Sequence, residues 1–272
     1  MPNYKRANRK PRAKKHLGQN FLINKHIIDR IITSCELKPS ETILEIGPGL
    51  GALTKELSLR AQKVIAVEKD RGLSQRLKEQ FIGKNVETIE EDILKFSFSR
   101  LPPQTRIIAN LPYYITTPII EKIISERDNI RDCFLTVQLE VGERITAPPG
   151  SKEYGSLTLF VNYFTSPKML FKITNTAFSP VPKVQSCFIY LDMKKSKEGM
   201  VEDEDFLFKI IHSAFQQRRK TILNSLSSLI EKKDLQKILS TAGIRENLRA
   251  ENLSMEDFIN LYGQIKMKIP CG

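Results

Sequence analysis

The chain has 272 residues, and 40% of them are hydrophobic, which can fill one large domain or a main domain with a small appendage. The net charge of +12 favours a polyanion or an acidic surface as the partner. No stretch reaches the roughly 18 apolar residues of a membrane span, and the charged N-terminus lacks the apolar core of a secretory signal, so we expect a cytoplasmic protein.

The first 15 residues hold seven Lys and Arg side chains and no acidic one. These basic residues are Lys5, Arg6, Arg9, Lys10, Arg12, Lys14 and Lys15. Such a run of like charge is typically disordered in isolation. We predict that residues 1–15 form a flexible basic tail that binds RNA phosphates; the alternative is a solvated tail that aids solubility.

Residues 42–46 predict a short apolar strand, and the sequence Gly47-Pro48-Gly49-Leu50-Gly51 follows it directly. Leu53 and Leu57 then share one face of a predicted helix. Glycine lets the backbone approach a ligand closely, and a helix N-terminus offers free N–H groups to an electron-rich ligand. Gly47 and Gly49 are therefore predicted to bind a nucleotide-like cofactor.

Acidic residues follow the next two predicted strands. Residues 63–67 end at Glu68, which lies 21 residues beyond Gly47. An acid at that distance can accept hydrogen bonds from both ribose hydroxyls, because the second strand lies beside the first and ends at the same edge. Asp92 follows the strand at residues 86–89; it can accept from an adenine amino group of the cofactor or, alternatively, cap a helix.

The fourth strand, residues 106–109, leads into Asn110-Leu111-Pro112-Tyr113. Pro112 fixes its own φ and biases Leu111 toward an extended conformation, so nearby carbonyls can point outward. The Asn110 side-chain oxygen and the Leu111 or Pro112 carbonyl can each accept one hydrogen of an exocyclic amine, while Tyr113 stacks on the attached ring. Adenine has both features. Alone, however, such a tetrapeptide is more often a simple turn at a strand end.

The position of this tetrapeptide favours catalysis. In an open parallel sheet the ligand crevice lies outside the carboxyl ends of the strands. The predicted strands therefore bring Gly47, Glu68, Asp92 and Asn110 together. We predict an α/β fold in which the tetrapeptide acts on an adenine beside a bound cofactor.

The second half of the chain is predicted to end in a separate helical domain. The segment from Phe178 to Ser186 contains two prolines that keep it stiff before a strand at residues 186–193. Phe178 is either a core residue or a second aromatic ring that faces Tyr113. The polar residues 194–205 suggest a domain boundary, beyond which the periodicity is helical.

Two further patterns concern partners. Arg218, Arg219 and Lys220 form a dense basic cluster in the helical part, and we predict that they bind RNA phosphates, the alternative being a solvated surface. The four cysteines lack the paired Cys-x-x-Cys spacing of a zinc site, and only three histidines accompany them. We therefore expect no bound metal and no disulfide framework.

Together these motifs resemble those of the ribosomal small-subunit (16S) rRNA adenine N6,N6-dimethyltransferase family, whose loss gives kasugamycin resistance in bacteria. The resemblance covers nearly all residues from Lys15 to Leu261. The motifs are HLGQNFL at 16–22, EIGPG at 45–49, VE at 67–68, ED at 91–92, NLPY at 110–113, FSPVPKVQS at 178–186 and FQQRRKT at 215–221. Gly142 departs from the alanine usual in this family.

The resemblance implies a Rossmann-like class I methyltransferase sheet of seven strands with a small helical C-terminal domain. It implies S-adenosylmethionine as the cofactor. The matching binding positions are Asn20, Leu22, Gly47, Glu68, Asp92 and Asn110. The implied reaction transfers two methyl groups to N6 of each of two adjacent adenosines in the 3′-terminal hairpin of 16S rRNA.

This interpretation gives three segments: the basic tail (1–15), an S-adenosylmethionine-binding domain (16–195), and a helical domain that contacts RNA or the ribosome (196–272). The expected partner is 16S rRNA within the small ribosomal subunit or its precursor. We see no seam for a dimer on the amphipathic helices, so we expect a monomer.

Other functions share parts of the pattern. A dehydrogenase uses a similar glycine loop and acid, but no His or Tyr–Lys pair is positioned to move a hydride. A large-subunit (23S) rRNA adenine N6-methyltransferase of the antibiotic-resistance type shares the Asn-x-Pro-Tyr pattern, whereas a DNA adenine methyltransferase more often has Pro-Pro in the middle. A non-enzymatic ribosome-assembly factor would need only the basic surfaces.

Overall fold

The computed structural model describes residues 19–193 and 201–268. They form two compact units: residues 19–142 with 168–193, and residues 143–167 with 201–268. The first unit ends at Met193, and the predicted boundary after residue 195 lies outside the described residues. Residues 143–167, which the sequence prediction includes in the N-terminal domain, cluster instead with the C-terminal helices. The predicted basic tail lies outside the described residues.

One seven-stranded sheet organises the first unit. Its strands are β2 (Thr42–Ile46), β3 (Lys63–Glu68), β4 (Val86–Glu90), β5 (Thr105–Asn110), β6 (Ile130–Gln138), β7 (Ser166–Ile173) and β9 (Ser186–Asp192). Their order across the sheet is β4-β3-β2-β5-β6-β9-β7. Strands β2 to β6 pair in parallel, and β9 runs antiparallel to β6. The strand order reverses between β2 and β5, which is where such sheets bind ligands.

The sheet is buried on both faces. Ile43 belongs to a hydrophobic cluster with Ile108 and Phe134, whereas its neighbour Leu44 is fully buried outside that cluster. Successive side chains of a strand point to opposite faces, so both sides of the sheet are covered. This explains why the central strands are near-continuous apolar runs.

Five helices begin within the first unit. They are α1 (Lys25–Ser34), α2 (Ala52–Ser58), α3 (Arg71–Gln80), α4 (Thr116–Ser125) and α5 (Leu139–Ile145). Helix α1 begins where the Asn24 side chain accepts a hydrogen bond from the Ile27 N–H at 3.2 Å. Its buried residues, Ile28, Ile31 and Ile32, recur at helical spacing and form one apolar face.

A two-stranded antiparallel sheet was not predicted. It pairs β1 (Phe21–Leu22) with β8 (Phe178–Ser179), and Leu22 lies opposite Phe178. The two strands are separated by more than 150 residues of chain. The pairing holds the segment that precedes α1 against the proline-rich segment that precedes β9.

The second unit consists of α6 (Ser156–Phe164), α7 (Glu204–Phe215), α8 (Ile222–Leu226), α9 (Lys232–Thr241) and α10 (Met255–Lys268). The Phe160 and Phe164 rings of α6 lie 5.2 and 5.7 Å from the Phe208 ring of α7. The Tyr154 hydroxyl donates to the Leu253 carbonyl at 2.9 Å. These contacts explain why residues 143–167 join the C-terminal unit.

No helix in the described part of the chain is long and apolar enough to cross a membrane. Within the same residues, no group of three or more His, Cys, Asp and Glu side chains is arranged to hold a metal ion. Cys35, Cys133 and Cys187 are buried free thiols, and Cys271 lies outside the described residues.

Candidate active site

The glycine-rich loop connects β2 to α2 at the carboxyl edge of the sheet. Gly47 and Gly49 have φ angles of 64° and 60°, a region that favours glycine. The Gly47 N–H donates to the Val67 carbonyl at 3.0 Å, which joins the loop to the neighbouring strand. A Cβ at Gly47 would meet nothing within 4 Å, so the loop leaves open space where a ligand can approach.

Glu68 ends β3 and holds this loop in position. It is 6% exposed; its Oε2 accepts from the Gly49 N–H at 3.1 Å, and its Oε1 accepts from the Asp70 N–H at 2.8 Å. Burial raises the pKa of Glu68, although these backbone N–H groups oppose the shift. A carboxylate has about four acceptor sites, and backbone N–H groups of Gly49, Lys69 and Asp70 interact with this one, so Glu68 retains capacity to accept from a hydroxyl.

Glu45 lies in the same pocket and was not among the predicted site residues. It is 2% exposed, and among the described residues its Oε2 has no hydrogen-bond partner. Burial raises the pKa of Glu45 to about 8, and the nearby charge of Glu68 adds to the shift. The sequence signal was present, because an acid two residues before Gly47 interrupts an otherwise apolar strand.

We predict that Glu45→Gln changes the pH dependence of stability of the cofactor-free protein. The folded-state pKa of about 8 lies above the ordinary 4.5, so the stability linked to Glu45 is fully present below pH 4.5 and is lost as pH rises toward 8. Gln does not titrate. The free energy of unfolding of the variant, relative to wild type, should therefore rise by roughly 1 kcal/mol per pH unit across this window. Urea unfolding at several pH values measures it, and a pH-independent difference would contradict the prediction.

Asp92 lies just beyond β4 and also lines the pocket. Its carboxylate pairs with the Lys69 Nζ at 2.8 Å and accepts from the Leu94 N–H at 3.1 Å. Burial acts to raise the pKa of Asp92, but these two interactions outweigh it and lower the pKa. The Leu94 contact stabilises a turn at residues 93–95, where no helix begins, so it is not the helix cap weighed as the alternative. It leaves the carboxylate at the pocket wall.

Asn110 ends β5 with its side chain in the pocket. Its Nδ2 donates to the backbone carbonyl of Asn20 at 3.0 Å, which fixes the orientation of the amide. The Oδ1 is buried and has no hydrogen-bond partner among the described residues. A buried acceptor without a donor costs free energy, so its presence favours a ligand that supplies the donor.

The backbone beyond Asn110 offers a second acceptor. The Pro112 carbonyl already accepts from the Ile115 N–H and the Thr116 hydroxyl, each at 3.2 Å. No hydrogen bond to the Leu111 carbonyl occurs within the described part of the chain. Of the two carbonyls weighed from the sequence, that of Leu111 is therefore the available one.

Tyr113 is half-buried and lines the pocket. Its hydroxyl lies 2.6 Å from the Ser186 Oγ, and either oxygen can be the donor. Burial raises the pKa of the Tyr113 phenol, so the ring is neutral at physiological pH. A neutral aromatic face at the pocket wall is suited to stacking on a flat heterocycle.

Phe178 requires a correction. It is 1% exposed and belongs to the hydrophobic cluster that includes Leu22 and Phe188. It does not line the pocket. Its side chain is thus in the core, as the alternative interpretation had it, because the pairing of β8 with β1 turns the ring inward.

Apart from Phe178, every predicted catalytic and cofactor-binding residue lines this one pocket, including Asn20 and Leu22 from the first described segment. The predicted RNA-binding residues do not. Arg218, Arg219 and Lys220 are exposed in the turn between α7 and α8 of the second unit. The seven basic residues of the tail lie outside the described residues.

The glycine loop after β2, the acid that ends β3 and the Asn-Leu-Pro-Tyr segment after β5 lie at one edge of a parallel sheet, as in a Rossmann-like methyltransferase. Within that class, the chain can be assigned to one family. Residues 10–266 match the family model described as ribosomal RNA adenine dimethylase, and the chain belongs to that family.

Relatives support this assignment over nearly the whole chain. Proteins named ribosomal RNA small subunit methyltransferase A are 44% identical in Moorella thermoacetica, over 91% of both chains, and 40% identical in Alkaliphilus oremlandii, over 94% of this chain and 92% of that one. The crystal structure of a dimethyladenosine transferase from Plasmodium falciparum matches with a TM-score of 0.79 at 29% identity, over 91% of this chain and 98% of that one. That of the 23S rRNA methyltransferase ErmE matches with a TM-score of 0.71 at 25% identity, over 91% and 100%.

Proposed function

We propose that this methyltransferase uses S-adenosylmethionine to dimethylate N6 of two adjacent adenosines in the 3′-terminal hairpin of 16S rRNA, as a step in ribosome biogenesis. The observation that carries the proposal is the buried, unpartnered Oδ1 of Asn110 in the same pocket as the glycine loop. An exocyclic amine supplies the hydrogen-bond donor that this oxygen lacks.

The residues present fit the cofactor. Gly47 leaves open space at a loop that precedes a helix, Glu68 retains lone pairs for ribose hydroxyls, and Asp92 lies at the wall for an adenine amino group. When bound, S-adenosylmethionine supplies the methyl group on a sulfonium centre. Asn20 and Leu22, with Gly49, complete the proposed binding set.

Asn110 and Leu111 orient the amine. The lone pair of an adenine amino group is delocalised into the ring, so the amine is a poor nucleophile. Acceptors at the Asn110 Oδ1 and the Leu111 carbonyl each hold one N6 hydrogen, which favours a pyramidal nitrogen and directs its lone pair away from the acceptors. This chemistry depends on position and electrostatics and needs no strong general base.

Tyr113 holds the base. Its half-buried ring stacks on an adenine extruded from the RNA, an interaction worth about 1–3 kcal/mol per base. The second round requires the same site to admit a monomethylated amine, which has only one N6 hydrogen left to donate. One of the two acceptors then holds that hydrogen.

We predict that Gly49→Ala weakens cofactor binding. An added Cβ would lie 2.9 Å from the Phe21 Cδ1, so the loop or Phe21 must move. In addition, the positive φ of Gly49 costs any residue with a Cβ about 1–2 kcal/mol. Gly83→Ala is the matched control, because Gly83 has a φ of 72° and an added Cβ would meet nothing within 4 Å. Calorimetric titration with S-adenosylhomocysteine should show a tenfold or greater loss, about 1.4 kcal/mol, for Gly49→Ala alone. Equal affinities in the two variants would count against the loop as the binding element.

The names of the relatives support the small ribosomal subunit as the substrate, since those at 40–44% identity are called small subunit methyltransferases and ErmE is 25% identical. The exposed Arg218, Arg219 and Lys220 are suited to RNA phosphates. We propose that the protein acts as a monomer on 16S rRNA in the subunit or its precursor. Such a substrate implies a cytoplasmic location.

The basic tail gives a salt-dependent prediction. If residues 1–15 bind phosphates, replacing their seven Lys and Arg residues by Gln should lower the slope of log affinity for RNA against log salt. The expected decrease is about 0.7–0.9 for each phosphate that the variant no longer neutralises. This variant keeps the length of the tail, so it isolates charge. Filter binding of 16S rRNA at several salt concentrations gives the slope; an unchanged slope would leave the tail with a role in solubility.

The function is tested with labelled S-adenosylmethionine and three substrates: unmethylated small subunits, large subunits and duplex DNA. Mass spectrometry then identifies the modified nucleoside. We expect dimethyladenosine in small-subunit RNA alone. Label in the large subunit would favour the 23S alternative, and tight particle binding without label would favour a non-enzymatic assembly factor.

A further inference from the structure

The orientation of the Tyr113 ring depends on a contact that the proposed chemistry does not use. Tyr113 begins a short 3-10 turn, Tyr113–Ile115, on the loop after β5. A tyrosine side chain on a loop retains two rotatable torsions, and stacking requires both to be fixed. The ring is half-exposed, so packing alone does not enclose it.

Ser186 supplies the missing constraint. Its Oγ lies 2.6 Å from the Tyr113 hydroxyl, at the end of the ring farthest from the backbone. A hydrogen bond there resists rotation about both torsions. Ser186 itself is 0% exposed, so bulk water cannot take the place of the tyrosine as its partner.

The backbone of Ser186 is part of the rigid sheet. Ser186 is the first residue of β9 and lies opposite Gln138 in the antiparallel pairing with β6. The preceding Gln185 carbonyl accepts from the Leu139 N–H at 2.9 Å. The sheet therefore sets the position of the Ser186 hydroxyl, and this hydroxyl sets that of the tyrosine ring.

We propose that Ser186 is a positioning residue, which holds the Tyr113 ring at the angle needed to stack on the target adenine. This inference rests on the proposed function, because it assigns Tyr113 to the substrate base. It also gives the FSPVPKVQS segment, in which Ser186 is the last residue, a direct link to the active site.

The test compares Ser186→Ala, Tyr113→Phe and the double variant in methylation of small subunits. Each single variant removes one partner of the same hydrogen bond while keeping the aromatic ring. We expect kcat to fall about 10- to 100-fold in each, with KM for the subunits nearly unchanged, because the ring is misoriented and the remaining RNA contacts are intact. The kcat of the double variant should be no lower than that of the less active single variant, since both mutations break the same hydrogen bond.

Ser179→Ala is the matched control. Ser179 is an exposed serine in β8 of the same segment, and the hydrogen bond of the Tyr113 hydroxyl goes to Ser186 instead. Wild-type kcat in Ser186→Ala, or a double variant whose loss is the product of the single losses, would overturn the proposal. We expect Ser186→Ala to fold, because the half-exposed phenol can turn its hydrogen bond to water.

A second measurement does not need activity. In protein carrying ¹³C-labelled tyrosine rings, the Tyr113 signal is identified by its loss in Tyr113→Phe. The Tyr113 signal should shift and average over several ring orientations in Ser186→Ala but not in Ser179→Ala. An unchanged signal in Ser186→Ala would overturn the proposal that Ser186 holds the ring. Wild-type protein that methylates none of the substrates would refute the proposed function instead, and the ring signal would still decide whether Ser186 orients Tyr113.

Discussion

Asn110→Ala should abolish methyl transfer while the protein still binds its RNA substrate. The Asn110 Oδ1 is a buried acceptor with no hydrogen-bond partner among the described residues, and its removal leaves the Leu111 carbonyl as a single acceptor for the target amine. Loss of one preorganised hydrogen-bonding group in an active site typically costs about 10²- to 10³-fold in kcat. Because two rounds of transfer are needed, the yield of dimethyladenosine should fall further than that of the monomethylated nucleoside.

The control has to account for the second bond of this amide. Asn110 also donates to the Asn20 carbonyl at 3.0 Å, so the substitution removes a structural hydrogen bond as well. Asn85→Ala is matched to it, since the Asn85 Nδ2 donates to the Ala61 carbonyl at 2.7 Å outside the pocket. Single-turnover transfer and particle binding are measured for both variants. If Asn110→Ala retained most of the wild-type activity, the proposed mechanism would be refuted.

The strand ends that form the site could be predicted because each carries a local sequence signal. An apolar run followed by Gly47, or by Glu68, marks where a parallel strand stops, and all such ends meet at one edge. The location of the Asn-Leu-Pro-Tyr segment at this edge could be predicted for the same reason. At these strand ends, the residues that carry the chemistry are also the residues that mark where each strand stops.

Contacts between distant segments gave no such signal. The pairing of Leu22 with Phe178 joins two strands of two residues each, which have no periodicity to detect, and it decided between the two roles of Phe178. The sequence prediction places the apolar helix Ser156–Phe164 in the domain of residues 16–195. Only the rings of its partner, such as Phe208, reveal that it belongs to the second unit.

Gly142 shows how a departure from the family pattern is compensated. A Cβ at this position would lie 2.2 Å from the Cys187 Sγ, so the sulfur takes up the space that an alanine methyl would need. The sequence shows the two residues as unrelated, 45 positions apart. Cys187 is thus packed against the backbone of α5, consistent with a structural thiol.

The largest stability effect is expected at Arg106, at the opposite end of the strands from the site. Arg106 is 4% exposed; its Nε bonds the Asp132 Oδ1 at 2.8 Å, and its Nη1 bonds the Glu41 Oε2 at 3.0 Å and the Cys35 carbonyl at 2.7 Å. Removing one partner of a buried ion pair leaves uncompensated charge and costs about 3–5 kcal/mol. We therefore expect Arg106→Met to lower the free energy of unfolding by that amount, measured by urea denaturation.

The pH dependence distinguishes charge from packing. Burial acts to raise the pKa of Glu41, but bonds from the Lys38 N–H, Arg131 and Arg106 outweigh it and lower the pKa, so the stability linked to Glu41 is present above pH 4.5 and is lost as pH falls. Without Arg106 that shift weakens, so the difference in free energy of unfolding between variant and wild type should stay constant above about pH 4.5 and shrink as pH falls below it.

Arg131→Met is the control for the Arg106 prediction. Arg131 bonds the same two carboxylates, at 2.8 Å to Glu41 and 3.3 Å to Asp132, but its side chain is 22% exposed. Its loss should cost less, about 1–2 kcal/mol, because water can replace part of the interaction. Adding Glu41→Gln and Asp132→Asn to Arg106→Met should recover part of the lost stability, since two buried carboxylate charges that only Arg131 still pairs are then absent. If Arg106→Met were no more costly than Arg131→Met, or if the deficit stayed constant at low pH as well, the network would owe its stability to packing and not to charge.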